Sequence, residues 1–287
     1  MWLIGLAVVL SFGLTLSAFT AEGQQAGKVY RIGFLSIATV TYIDAFRQGL
    51  RDLGYVEGRT IVIEYQEAQS YERLPELAKE LVGLKPDIIV SAGGSLVARA
   101  VKAVTSTIPV VFLASDVVAG GLVASLSRPD GNLTGLEIFT TQLDAKRLEI
   151  LKEALPTITT VALLWNPGSA AYNALHLADQ RRGMEAAAQA LGVRLGMLEA
   201  RDLRQIDTVF RTIQREDPGA LLVGSDAIFT SGRQRIVELA TQLRIPSMYG
   251  WREFVEVGGF MSYGTSCVPA RVLRSDPGGE GDERAHP

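Results

Sequence analysis

The stretch DIIVSAGGSLVARAVKAVT (87–105) decides the architecture. Asp87 to Gly93 is a short run, rich in β-branched residues and apolar almost throughout, as a strand buried on both faces of a parallel sheet requires. Two glycines then turn the chain straight into SLVARAVKAVT, a helical stretch. Outward from this unit the same alternation recurs. Upstream lie the strand YRIGFLS (30–36) and the helix TYIDAFRQGLRDLGY (41–55), in which Ile43, Phe46, Leu50 and Leu53 repeat at helical spacing. They are followed by the strand RTIVIEYQEA (59–68) and the helix YERLPELAKELVGL (71–84). Downstream, PVVFLAS (109–115) is a fourth strand. After NLTGLEIF (132–139) comes a long amphipathic helix, TTQLDAKRLEILKEAL (140–155), and the alternation restarts. It runs through TVALLWN (160–166), a helix to about Leu191, VRLGMLEA (193–200), LRQIDTVFRTIQRE (203–216), ALLVGS (220–225), a further helix and PSMYG (246–250).

Alternating strands and helices in two successive series predict an α/β protein of two Rossmann-like lobes, each on a parallel sheet. The 287 residues accommodate two such lobes at about 100–200 residues per domain. The expected division is an export segment at 1–27, lobe 1 at 28–139, lobe 2 at 140–262 and an atypical tail at 263–287. The chain crosses between lobes near Phe139 and Thr140 and returns near Met261 to Gly264. The tail loses periodicity and collects Pro, Gly and charge, so it is expected to be disordered.

Residues 2–21, WLIGLAVVLSFGLTLSAFTA, carry no charge, and Ala21 and Gly23 fit a cleavable signal peptide cut before Gln24. The first basic residue is Lys28, so the positive leader of such a peptide is missing, and an uncleaved anchor is the other reading. A periplasmic product is the simpler expectation. The chain is 47% hydrophobic and 21% charged with formal net charge -3 and no basic block, which argues against nucleic acid as a partner. One cysteine, Cys267, excludes an intrachain disulfide and a multi-cysteine zinc site. No metal or cofactor is expected. His176 falls in a helical stretch without a nucleophile and acid at motif spacing, and is read as structural.

In open parallel sheets ligands bind beyond the carboxyl ends of the strands. That rule selects Ser36 and Thr41, Gly94 and Ser95, and Ser115 and Asp116 in lobe 1, with Asn166, Tyr172, Asp226, Tyr249 and Trp251 in lobe 2. Gly93, Gly94 and Ser95 open a helix whose free N–H groups would hold a carboxylate. Equally, they are a tight turn followed by a serine cap. Asp226 has the choice between a ligand ammonium and a helix N-cap, and Asp116 leans to the turn role. Tyr172, Tyr249 and Trp251 together would sandwich a planar ligand; singly each is a packing residue. Asn166 offers a donor and an acceptor, or simply begins the turn Asn166-Pro167-Gly168.

The phrases KVYRIGFLS, FRQGLRDLGYVEGRTIVIEY, ELVGLKPDIIVSAG, GGLVASLSRPDGNLTGLEIFTTQLDAKRLEILKEALP, VALLWNP and YGWREFVEVGGFMSYG closely resemble bacterial ABC importer substrate-binding proteins of the tryptophan/tyrosine-binding type. The resemblance covers about Lys28 to Gly264 and rests on many phrases in order. It implies the periplasmic-binding-protein type I fold, a small-molecule ligand such as an aromatic amino acid, no catalytic residues, and a permease and its ATPase as partners. It also implies further elements after MSYG that return to lobe 1. Here the polar tail stands instead, which looks like a frameshift or truncation and would leave apolar surface of lobe 1 uncovered and the receptor defective. Two other classes share the lobe pattern. A regulator's ligand-sensing domain would follow a helix-turn-helix, where this chain has an export segment. An α/β enzyme would need a nucleophile, base or metal constellation, and none stands at a credible spacing.

Overall fold

The computed structural model describes residues 28–37, 42–115, 117–118, 121–125, 127–129, 131–138, 143–168 and 174–264. Thr41, Asp116, Tyr172 and Cys267, the export segment and most of the tail therefore lie outside the described residues.

The first sheet is built from β1 (Tyr30–Ile37), β2 (Ile61–Ala68), β3 (Ile88–Ala92), β4 (Val110–Ala114) and β5 (Leu133–Glu137), in the order β2-β1-β3-β4-β5. The second holds β6 (Thr160–Trp165), β7 (Arg194–Glu199), β8 (Ala220–Val223), β9 (Ser247–Tyr249) and β10 (Met261–Ser262), in the order β10-β9-β8-β6-β7. Numbered from its own start, each lobe reads 2-1-3-4-5, and every strand pair is parallel. Two strands were not anticipated. LTGLE and MS became β5 and β10, one five residues long with polar alternation and the other only two, too short and mixed to show a strand pattern.

The helices α1 (Tyr42–Asp52), α2 (Leu74–Gly83), α3 (Ser95–Lys102), α4 (Asp144–Ala154), α5 (Ala174–Ala190) and α6 (Ile206–Glu216) follow the expected order; the single helix expected next is two, α7 (Ala227–Ser231) and α8 (Arg233–Gln242), and α9 (Arg252–Glu256) was not anticipated. Helix α1 stops sooner than its apolar spacing predicts. Gly54 takes a positive φ of 85°, and Leu53 is left 76% exposed instead of joining the buried stripe. The corresponding helices of the two lobes, α2 and α6, end alike. Lys85 and Asp217 adopt left-handed backbone, and the prolines at 86 and 218 prevent continuation.

Period-two alternation sorts the strand residues onto opposite faces. In lobe 2, Val161, Leu163 and Trp165 pack with Leu148 and Leu151 of α4 and Met184 and Ala188 of α5. Ala162 and Leu164 face α6, α8 and α9 through Phe210, Ile213, Ile236 and Phe254. In lobe 1, Leu35, Ile37, Ile89, Val110 and Phe112 pack on α2 and α3. Across that sheet Phe34 meets Phe46 of α1 with ring centres 5.3 Å apart. Each fully buried leucine among these contributes about 1.5–3 kcal/mol relative to exposure. Tyr249 and Trp251 belong to the same core as Phe254, and Tyr249 stacks on Phe254 at 4.5 Å.

One side chain in the first turn of α4 breaks the apolar rule. Arg147 is fully buried. Its Nη1 donates to Asp144 Oδ1 at 2.5 Å and its Nε to the Tyr263 carbonyl at 2.7 Å, while Tyr263 N donates back to the Tyr249 carbonyl at 3.0 Å. The guanidinium thus ties the start of α4, just after the first crossing, to the chain end of β10. It lies against Gly250 and Gly264; a Cβ added at either would sit 3.2 Å or 3.0 Å from Nη2. Removing one member of a buried ion pair leaves the other desolvated, so Arg147→Ala is expected to lose about 3–5 kcal/mol in urea unfolding.

Burial pushes the Tyr249 hydroxyl up to about 12, with the neighbouring Ser247 opposing this more weakly. Unfolded tyrosine releases its proton near about pH 10. The folded state therefore retains a proton that the unfolded state gives up, and this stabilisation, complete below about pH 10, is lost as pH rises towards 12. Melting temperatures measured from about pH 9 to 11.5 should fall less steeply for Tyr249→Phe than for the native protein.

Candidate functional site

Because all strands of a lobe run the same way, their carboxyl ends gather the strand-to-helix turns on one edge. On lobe 1 that edge presents Ser36, Ser91, the Gly93-Gly94 turn and Ser95. Ser36 and Ser91 are fully buried, and the Ser36 Oγ shares a 3.1 Å hydrogen bond with the Tyr65 hydroxyl. Gly94 lies at φ 114° and ψ 177°, and a Cβ on Gly93 would strike Ile37 at 2.7 Å, so the tight turn requires both glycines. Ser95 is the first helical residue and not the cap. Its hydroxyl donates to the Ser115 carbonyl, and no side chain caps α3. The helix start is therefore left to its own N–H groups and dipole.

On lobe 2 the edge presents Asn166, Ser225, Asp226, Gly250 and Trp251. Asp226 is the N-cap of α7: Oδ1 accepts from Ile228 N at 2.8 Å and from Phe229 N at 3.4 Å. Its second oxygen does something the cap does not need. Tyr71 of lobe 1 donates its hydroxyl to Asp226 Oδ2 at 3.1 Å, across 155 residues of sequence. Around this bond the lobes touch directly. Ile228 and Ala227 pack into the lobe 1 core beside Tyr71, and a Cβ on Gly168 would lie 3.7 Å from the Tyr71 ring. Nearby, Glu72 is held below the usual carboxylate range, first by the Ser70 hydroxyl and its own backbone N–H, and further by Arg201 of lobe 2.

Asn166 is fully buried, and its Oδ1 accepts from Gly168 N at 2.9 Å, so the expected Asn-Pro-Gly turn is present. Tyr249 is fully buried in the lobe 2 core and Trp251 is 7% exposed in the same cluster, which is the packing role open to each in the sequence. Sequence reasoning passed over Tyr71, which reads as the first residue of a helix but stands in the 3-10 turn (Tyr71–Arg73) preceding α2. Its position directly after a strand of the series was the available signal. Ser91 was hidden inside a strand.

Two grooves on lobe 2, one beside Thr160, Arg194 and Glu216 and the other beside Asp217, Gln242 and Arg244, lie at the amino ends of its strands, away from this edge. Among the described residues no group of three or more His, Cys, Asp or Glu could hold a metal ion, and no helix is long and apolar enough to cross a membrane.

The chain is 32% identical over 123 residues to a protein of Clostridioides difficile named "Tyrosine-binding protein"; the match covers 42% of this chain and 35% of that relative. Among solved structures, a conserved domain protein from Vibrio cholerae superposes with a TM-score of 0.71 at 26% identity, over 83% of this chain and 79% of the other. A Streptococcus ABC domain crystallised in complex with L-Trp superposes with a TM-score of 0.68 at 20% identity over the same shares. Two parallel five-stranded sheets in the order 2-1-3-4-5, with these neighbours, are the type I periplasmic-binding-protein fold. The profile described as "ABC transporter substrate binding protein" matches residues 37–269, more than half of the chain, and the chain belongs to that family.

Proposed function

We propose that this protein is the exported receptor of an ABC importer and captures a small solute, an aromatic amino acid first, between lobe 1 (28–139) and lobe 2 (140–262). The observation that carries the reading is the bond from Tyr71 to Asp226, which brings the carboxyl-end edges of the two sheets against each other. The family membership and the tyrosine- and tryptophan-binding relatives support the ligand class. Asp226 offers a buried carboxylate to an ammonium group, and the uncapped start of α3 offers dipole and N–H groups facing the same cleft edge. The receptor performs no chemistry. It hands its solute to a permease driven by an ATPase, both supplied by other chains. The uncharged apolar stretch 2–21 supports export to the periplasm.

Closure follows from contact with both lobes: a solute touching both is bound more tightly in the closed state and shifts the population towards it. At a ligand concentration about 100 times Kd the native state gains about 2.7 kcal/mol, so L-tryptophan or L-tyrosine should raise the melting temperature by about 5 °C or more. A melt unmoved by every member of an amino-acid panel contradicts the reading. Tyr71→Phe deletes a hydrogen bond to a charged acceptor worth about 1.5–3 kcal/mol. It should enlarge the radius of gyration of the ligand-free protein in small-angle scattering and weaken binding about tenfold.

A further inference from the structure

Helix α7 belongs to lobe 2 by sequence, yet its successive residues serve different cores. Phe229 belongs to the lobe 2 cluster of Phe210, Ile236 and Phe254, whereas Ile228 belongs to the lobe 1 cluster of Ala68, Leu74 and Val97, with Ala227 and Tyr71 packed against it. Neighbouring helical side chains point about 100° apart, so one short helix reaches both. Ile228 and Phe229 are buried alike, at 1% and 0% exposure. Bonds from side chain to backbone brace α7: the Thr230 hydroxyl donates to the Asp226 carbonyl at 2.9 Å, that of Ser231 to the Ile228 carbonyl at 2.9 Å, and Arg233 Nη1 to the Thr230 carbonyl at 3.0 Å. Ile228 is thus a fixed knob on lobe 2 seated in lobe 1, on the same helix start whose cap, Asp226, receives the Tyr71 hydroxyl.

Where this contact lies decides what it does. The first crossing leaves β5, the outermost strand of the lobe 1 sheet, and Arg147 ties it to the chain end of β10, the outermost strand of the lobe 2 sheet. Tyr71 follows β2, at the opposite edge of the lobe 1 sheet, four strands and about 19 Å from β5. That separation is a lever arm. A swing of about 15° about the crossing displaces a point on it by about 5 Å, more than any hydrogen bond spans. The lobes therefore cannot part without breaking the Tyr71 bond and drawing Ile228 into water, and exposure of its apolar surface opposes that.

We infer that Ile228 and the bond from Tyr71 to Asp226 form a clasp opposite the crossing, which holds the lobes closed through protein contacts alone and lets solute exchange only while it is open. The clasp itself stands apart from any solute; its effect on exchange rests on the receptor reading above. Its kinetic signature is an association rate that levels off at high solute concentration, at the rate at which the clasp opens.

Pulsed electron spin resonance between labels on Lys79→Cys of α2 and Gln234→Cys of α8, both exposed, in a Cys267→Ser background reads the separation of the lobes with no solute added. In the native clasp about nine-tenths or more of the molecules should stand at one closed distance; with Ile228→Ala and Tyr71→Phe combined, more than about half should stand at a distance changed by about 5 Å or more. Ile228→Ala alters a core, so cooperative melting of the double variant is checked first, and where it is lost Ile228→Val with Tyr71→Phe takes its place. A native distribution dominated by the open distance, or one that the variants leave unchanged, overturns the clasp. Neither result depends on a solute, so a melt that no amino acid moves refutes the receptor reading and leaves the clasp standing. Where L-tryptophan binds, a native association rate that stays linear in its concentration and equals that of the double variant overturns the gating.

Discussion

Every strand pair of both sheets is parallel, and the rest of the molecule follows from that constraint. A parallel pair cannot be joined by a hairpin, so each strand must be followed by a crossover element that packs on a sheet face. The central strands are consequently sealed on both sides and nearly continuously apolar, as Val161 to Trp165 show by serving two separate cores. All turns that leave carboxyl ends are collected on one edge. That edge brings together buried serines, an asparagine, a helix start without a side-chain cap and glycines with positive φ. This gathering of polar groups is a by-product of strand direction.

Joining two such lobes raises a second demand, because the chain must cross between them without losing either sheet's last strand. Arg147 meets it at the cost of burying a charge. Its pair with Asp144 and its bond to the Tyr263 carbonyl hold the entry to α4 and the exit from β10 in one cluster, over Gly250 and Gly264. Ser225 Oγ reaches the same glycine, 2.4 Å from where a Gly250 Cβ would stand. The Arg147 cluster and the lobe 2 edge therefore meet at Gly250.

The sequence made the architecture legible wherever burial was two-sided and turns were marked by Gly or Pro. DIIVSAG, the Gly-Gly turn and the helix after it stand close to where their pattern places them. The strands β5 and β10 did not show, since edge strands carry mixed residues over few positions. For the site, strand ends were legible but side-chain roles were not. Asp226 proved to be a cap and a lobe-to-lobe acceptor together, a combination that no local pattern encodes. Tyr249 and Trp251 look identical in sequence whether they line a cleft or fill a core; their packing on Phe254 depends on a helix three residues further on. Arg147 is one basic residue among several in an amphipathic helix, and its burial depends on Tyr263, more than a hundred residues away.

The most direct test is a crystal structure of the protein grown with L-tryptophan. Electron density for the amino acid between the start of α3 and the Asn166, Ser225 and Asp226 edge, in contact with both lobes, is the expected result. Density confined to one lobe, or at the amino-end grooves beside Arg194 or Arg244, would contradict capture between the lobes.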